Sequence, residues 1–138
     1  MKQLVIVLVL LFSVLSVKSQ LFLGEDEKTV REKIESLSPG TIITKSPVKD
    51  VSGYFILDWK SILGESFVSF SSEGISFLYM IMPKTTSDLN YLIKYNNDNF
   101  LIVSDTEWKL YKSGKIFKIV LSYSNLYSSY VFSHSLVK

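Results

Sequence analysis

The chain has 138 residues, one histidine, no cysteine, and 15 basic against 13 acidic residues, a formal net charge of +2. Without cysteine neither a disulfide framework nor thiol chemistry is open to it. A near-neutral balance with Arg31 as the only arginine argues against nucleic acid, whose phosphates and bases favour the planar arginine fork.

Met1-Lys2-Gln3 gives a charged start, Leu4 to Leu15 is an apolar run broken only by Ser13, and Val17 and Ser19 stand just before Gln20 as a cleavage site requires. Residues 1–19 therefore read as a secretory signal. The run is shorter than the about 20 residues that span a bilayer, so no stable membrane anchor is expected after cleavage. Lys2 and Lys18 leave with the signal, and 15 − 2 = 13 basic residues then balance 13 acidic ones in a single domain over 20–138. The lack of cysteine and of any Asn-x-Ser/Thr acceptor points to an exported protein of the bacterial periplasm or medium. The Lys-, Ile-, Asn-, Ser- and Tyr-rich body resembles, in composition, small exported proteins of AT-rich bacterial genomes.

Acidic residues crowd Glu25 to Glu27, and Val30, Ile34 and Leu37 recur at helical spacing, which predicts a surface helix with one narrow apolar stripe. Ser38-Pro39-Gly40 stops it, and Phe22 and Leu23 are placed to fold back on it as a staple. Thr41 to Thr44 reads as a short strand, Pro47 to Ser52 as a polar loop, and Gly53 to Trp59 as a longer strand with Phe55, Leu57 and Trp59 on one face. A hairpin follows: Phe67 to Phe70, a turn at Ser71 to Gly74, and Ile75 to Met82. Its return strand is apolar on both faces, so it belongs inside a sheet.

Thr85 to Asp88 has the chemistry of a helix start, and Leu89, Leu92 and Ile93 with Tyr91 and Tyr95 make a second short helix. Asn96 to Asn99 is expected to end it, since these side chains compete for backbone groups. The last third reads as strands over Phe100–Ser104, Trp108–Tyr111, Ile116–Tyr123 and Ser129–Ser133, with turns short enough to make neighbours antiparallel. The fold class is α+β: an antiparallel sheet of six to eight strands with two short helices, in the order of an αβββ unit used twice. Asp58-Trp59-Lys60 and Glu107-Trp108-Lys109 echo one another, although the helices do not align at the same offset and an aromatic-rich chain produces such echoes by chance. A duplicated unit of this kind would put both helices on one face of a continuous sheet. That layout is similar to the β-lactamase-inhibitor-like and TATA-box-binding-protein-like folds, and a fold analogy carries no function.

Chemistry is sparse. His134 stands four residues from the end, where chains tend to fray, without the companions a metal or catalytic site needs. Asp58, Glu65 and Glu107 lie near strand ends as solvated acids, and neither a nucleophile motif nor a glycine-rich phosphate loop occurs. No catalytic residue, metal or cofactor is expected, and the protein reads as a non-enzymatic binding module.

With Phe55, Leu57, Trp59, Ile75, Phe77, Tyr79, Ile81, Phe117, Ile119 and Leu121 under the helices, Tyr54, Ile56, Phe67, Leu78, Met80 and Met82 fall on the opposite face. That face is apolar enough to act as an interface for a protein partner or a second copy of the chain. The alternative is a small-molecule or glycan binder that uses exposed tyrosine and tryptophan.

Overall fold

The computed structural model describes residues 22–48 and 54–137; the expected signal, residues 49–53 and Lys138 lie outside them. The elements are α1 (Glu27–Leu37), β1 (Thr44–Pro47), β2 (Phe55–Ser61), β3 (Gly64–Phe70), β4 (Ser76–Pro83), α2 (Thr86–Asn99), β5 (Leu101–Ser104), β6 (Glu107–Lys112), β7 (Lys115–Ser124) and β8 (Ser129–Leu136). All eight strands form one antiparallel sheet in the order β1-β2-β3-β4-β8-β7-β6-β5. The architecture is α+β, with each helix followed by a four-strand meander. The repeated order is thus αββββ rather than αβββ: the short segments expected as strands at Thr41–Thr44 and Phe100–Ser104 have counterparts that pair as the edge strands, β1 at Thr44–Pro47 and β5 at Leu101–Ser104.

The meanders meet where β4 pairs β8, and the ladder is symmetric about that seam. One cross-strand row runs Asp58, Phe67, Met80, Ser133, Val120, Glu107, with an acidic residue at each end. The two Asp/Glu-Trp-Lys segments therefore occupy matching places in β2 and β6. Trp59 and Trp108 both point into the helix layer and are buried.

Local chemistry sets each helix. Asp26 caps α1 by accepting the Thr29 amide at 2.8 Å, and this hydrogen bond lowers its pKa. Val30 and Ile34 are fully buried on the sheet. In α2, Thr85 accepts the Asp88 amide at 3.1 Å and donates to the Asp88 carboxylate at 2.9 Å, a reciprocal cap. The helix runs on through Asn96, which is buried, and Asn97, which accepts the Trp108 indole N–H at 2.8 Å, and it ends at Asn99, whose side chain donates to the Tyr95 backbone carbonyl at 2.8 Å.

Two residues expected in the core lie outside it. A bulge between Ser69 and Phe70 pairs Phe70 with Ser76 and skips Phe77, which inverts the alternation at the start of β4. Ser76 is then buried while Phe77 is 45% exposed and Ile75 39% exposed. The segment entering α1 holds Ser76 in place: Gly24 donates to the Ser76 carbonyl at 2.8 Å, and Ser76 donates to the Glu25 carbonyl at 2.9 Å.

Both helices pack on one face. Eight strands spaced about 4.8 Å apart span roughly 34 Å, against about 10 Å for each helix, so a two-helix layer leaves sheet uncovered. At the β2–β3 turn there is no such slack, and a Cβ on Gly64 would overlap the Met82 carbonyl oxygen. Gly64→Ala is expected to lower stability by about 3 kcal/mol or more in urea unfolding. Gly74→Ala, at a positive φ of 76° with open space around it, is expected to lose only about 1 kcal/mol.

Candidate functional site

Strands β2, β3, β4 and β8 present Trp59, Ser61, Ser66, Tyr79, Ile81, Phe132 and His134 to the helix layer. Over this stretch the helices stand apart, and small serines sit among large rings. The result is a cavity of about 80 Å³. Its upper wall is Phe22, Leu37 and Ser38 at the end of α1, and Leu92, Tyr95, Asn96 and Phe100 along and after α2; the turn residues Ile62 and Leu63 close one end. No lysine, arginine, aspartate or glutamate lines it.

Aromatic rings form most of the floor. Phe22 stands 5.4 Å from Trp59 edge-on and 5.3 Å from Tyr79, and Tyr79 lies 5.0 Å from His134. The hydroxyls form a chain: Ser66 donates to Ser61 at 3.2 Å, Ser61 donates to the Gly64 carbonyl at 2.9 Å, and the Tyr79 hydroxyl lies 3.4 Å from the Ser66 oxygen. Burial pushes the Tyr79 phenol up to about 12, so it stays protonated. Burial also pushes His134 down to about 3, which keeps its ring neutral, and its buried Nδ1 has no hydrogen-bond partner.

The internal symmetry makes this polar group conspicuous. Counted along the ladder from Asp58 and Glu107, Ser66 matches Ile119, Tyr79 matches Phe132, and His134 matches Ile81. Each polar member of the trio thus has an apolar counterpart in the other half. Filling these positions with apolar groups is compatible with the fold, and the serine, tyrosine and histidine break an otherwise apolar pattern around the seam, the first two on β3 and β4 and the histidine across it on β8.

No family model, curated protein or solved structure matches the chain. The reading of the site rests on its geometry.

The six residues expected at an interface do share the face opposite the helices. Phe67 pairs Met80 directly, Ile56 and Leu78 flank Ser69, and Met82 lies opposite Glu65. Tyr54 is exposed beside Phe77, their rings 6.0 Å apart, while the other five are half-buried. Tyr127, from the β7–β8 turn, stacks on Phe67 at 5.8 Å. Serines 69, 133 and 135 interrupt the patch.

The tryptophans expected among exposed stacking groups are instead core residues, Trp59 at 4% and Trp108 at 0% exposure, whereas Tyr54, Tyr111, Tyr123, Tyr127 and Tyr130 are exposed. Asp58 and Glu107 lie five strands apart in one row, roughly 24 Å, so they cannot act on one substrate atom. Burial, with Glu65 nearby, raises the Asp58 pKa.

His134 is not at a frayed end: β8 inserts between β4 and β7, and the histidine is held between Tyr79 and Ile119 at 7% exposure. Sequence reasoning missed Ser66, Asn96 and His134 as site residues. The one available signal was a serine at a core-facing position in the alternation Gly64, Ser66, Val68, Phe70.

In the unfolded chain the imidazole titrates near 6.5, and in the fold it takes no proton until about pH 3. Its contribution to stability is complete above 6.5 and is lost as pH falls from there towards 3, by about 2 kcal/mol at pH 5. Because the chain has one histidine, urea unfolding at pH 7.5 and pH 5 checks this: His134→Phe is expected to lose markedly less stability over that interval than the parent chain.

Proposed function

We propose that the chain is an exported, non-enzymatic binding module that takes a small molecule in the cavity between its helices and sheet. The observation that carries this reading is a pocket built of rings and aliphatic chains, with a few polar groups converging in it and no charged side chain. A non-catalytic role is supported by the same groups. Ser66 is tied to two other hydroxyls, no carboxylate or lysine faces it, and a histidine that stays unprotonated to about pH 3 cannot act as a general acid near neutrality. Amide-detected NMR with a panel of small neutral aromatic and aliphatic molecules tests it. Shift changes centred on Ser66, Tyr79, Asn96 and His134 are expected, and their absence across the panel would overturn the reading.

A second reading is favoured by the placement of both helices on one side. The opposite face, with Tyr54, Ile56, Phe67, Leu78, Met80 and Met82, has no helix over it among the described residues, which suits contact with a protein partner or another copy of the chain. Under self-association, light scattering would give a multiple of the chain mass that Met80→Lys reduces to the monomer. A monomer unaffected by the lysine would remove the self-associating version.

A further inference from the structure

The direction of the hydroxyl chain restricts what the cavity can hold. Ser61 spends its proton on the Gly64 carbonyl, and Ser66 spends its proton on Ser61. A hydroxyl has one proton, so the contact between Ser66 and Tyr79 must be donated by Tyr79. All three protons then run one way, towards Gly64. At the head of this chain the Tyr79 oxygen can now only accept. At 3.4 Å its bond to Ser66 is long, and so weak, for a hydroxyl pair, and the oxygen keeps its lone pairs for a further donor. The wall adds a second restriction: an ion brought into it would lose its water and meet no counter-charge.

On the reading that the cavity is a ligand site, we infer that it selects a small, uncharged, single-ring molecule carrying one hydroxyl or N–H, the ring lying against Phe22 and Trp59 and the donor directed at the Tyr79 oxygen. The rings Phe22, Trp59 and Tyr79, mutually 5.3 to 6.2 Å apart, give an edge-and-face surroundings suited to an aromatic guest. A guest without a donor leaves the phenol oxygen as it is and gains only the apolar contact. A guest with a negative charge would lose its water without meeting a cation in the wall, and the Tyr79 oxygen offers it no proton.

NMR titration of the chain with phenol, anisole, toluene and benzoate tests the inference. Phenol is expected to bind three- to tenfold more tightly than anisole or toluene, the worth of one hydrogen bond, and benzoate not at all. In Tyr79→Phe, phenol should fall to the affinity of toluene while toluene itself is unchanged, an outcome that general destabilisation would not produce. Equal binding of phenol and anisole to the parent chain would overturn the assigned proton direction, and benzoate binding as well as phenol would overturn the exclusion of charge; both would leave the cavity reading standing. If none of the four perturbs residues around Tyr79, the cavity reading and this inference fail together.

Discussion

The seam between β4 and β8 is the constraint from which the rest of the molecule follows. It joins the last strand of each four-strand meander, with Tyr79 opposite His134 and Ile81 opposite Phe132, across fifty or more residues of intervening chain. Closing so long a loop carries an entropic penalty, and it is offset by apolar burial on the helix side of both strands. The sheet then has eight strands instead of two sets of four, and the strand nearest the chain's end lies at its middle.

From the seam comes the cavity. A sheet made this wide cannot be roofed by α1 and α2, and the gap between them falls over the central strands. Phe22 narrows that gap by folding back beside Trp59 and Tyr79, held by the backbone bonds between Gly24, Glu25 and Ser76. The space left is not a packing failure of ordinary kind. Each member of its polar trio sits where the other half of the sheet has isoleucine or phenylalanine, and an orphaned imidazole nitrogen is typically worth about 1–3 kcal/mol of lost stability. A folded chain that retains such a nitrogen beside a hydroxyl relay is arranged for something other than maximal stability.

Legibility in the sequence followed the range of the interactions concerned. The helix caps at Asp26 and Thr85 and the apolar stripe of Val30 and Ile34 are local and were readable, as were the hairpin turns and the central position of β4, apolar on both sides. The core places given to Ile75 and Phe77 failed because a single bulge inverts the side chains beyond it, where the segment entering α1 pairs with Ile75 and Ser76. The asparagine run was readable as the place where α2 stops, but not which of its members stops it. Asn99, the last helical residue, bonds the Tyr95 backbone carbonyl as a local reading expects, whereas Asn96 is buried and Asn97 is taken up by the indole of Trp108, so the helix passes through both.

By itself the sequence determined the class of fold, the two helices, the inward face of most strands and the poverty of charged chemistry, because periodicity, caps and turns act over a few residues. Tertiary structure alone decided the rest. It set the strand order that carries His134 from the chain's end to the middle of the sheet, and the meeting of Ser66 with Tyr79. It also fixed the spacing of the helices that leaves a chamber between them and the sheet. These depend on contacts between residues tens of positions apart, and no local pattern records which distant strand a given strand will pair with.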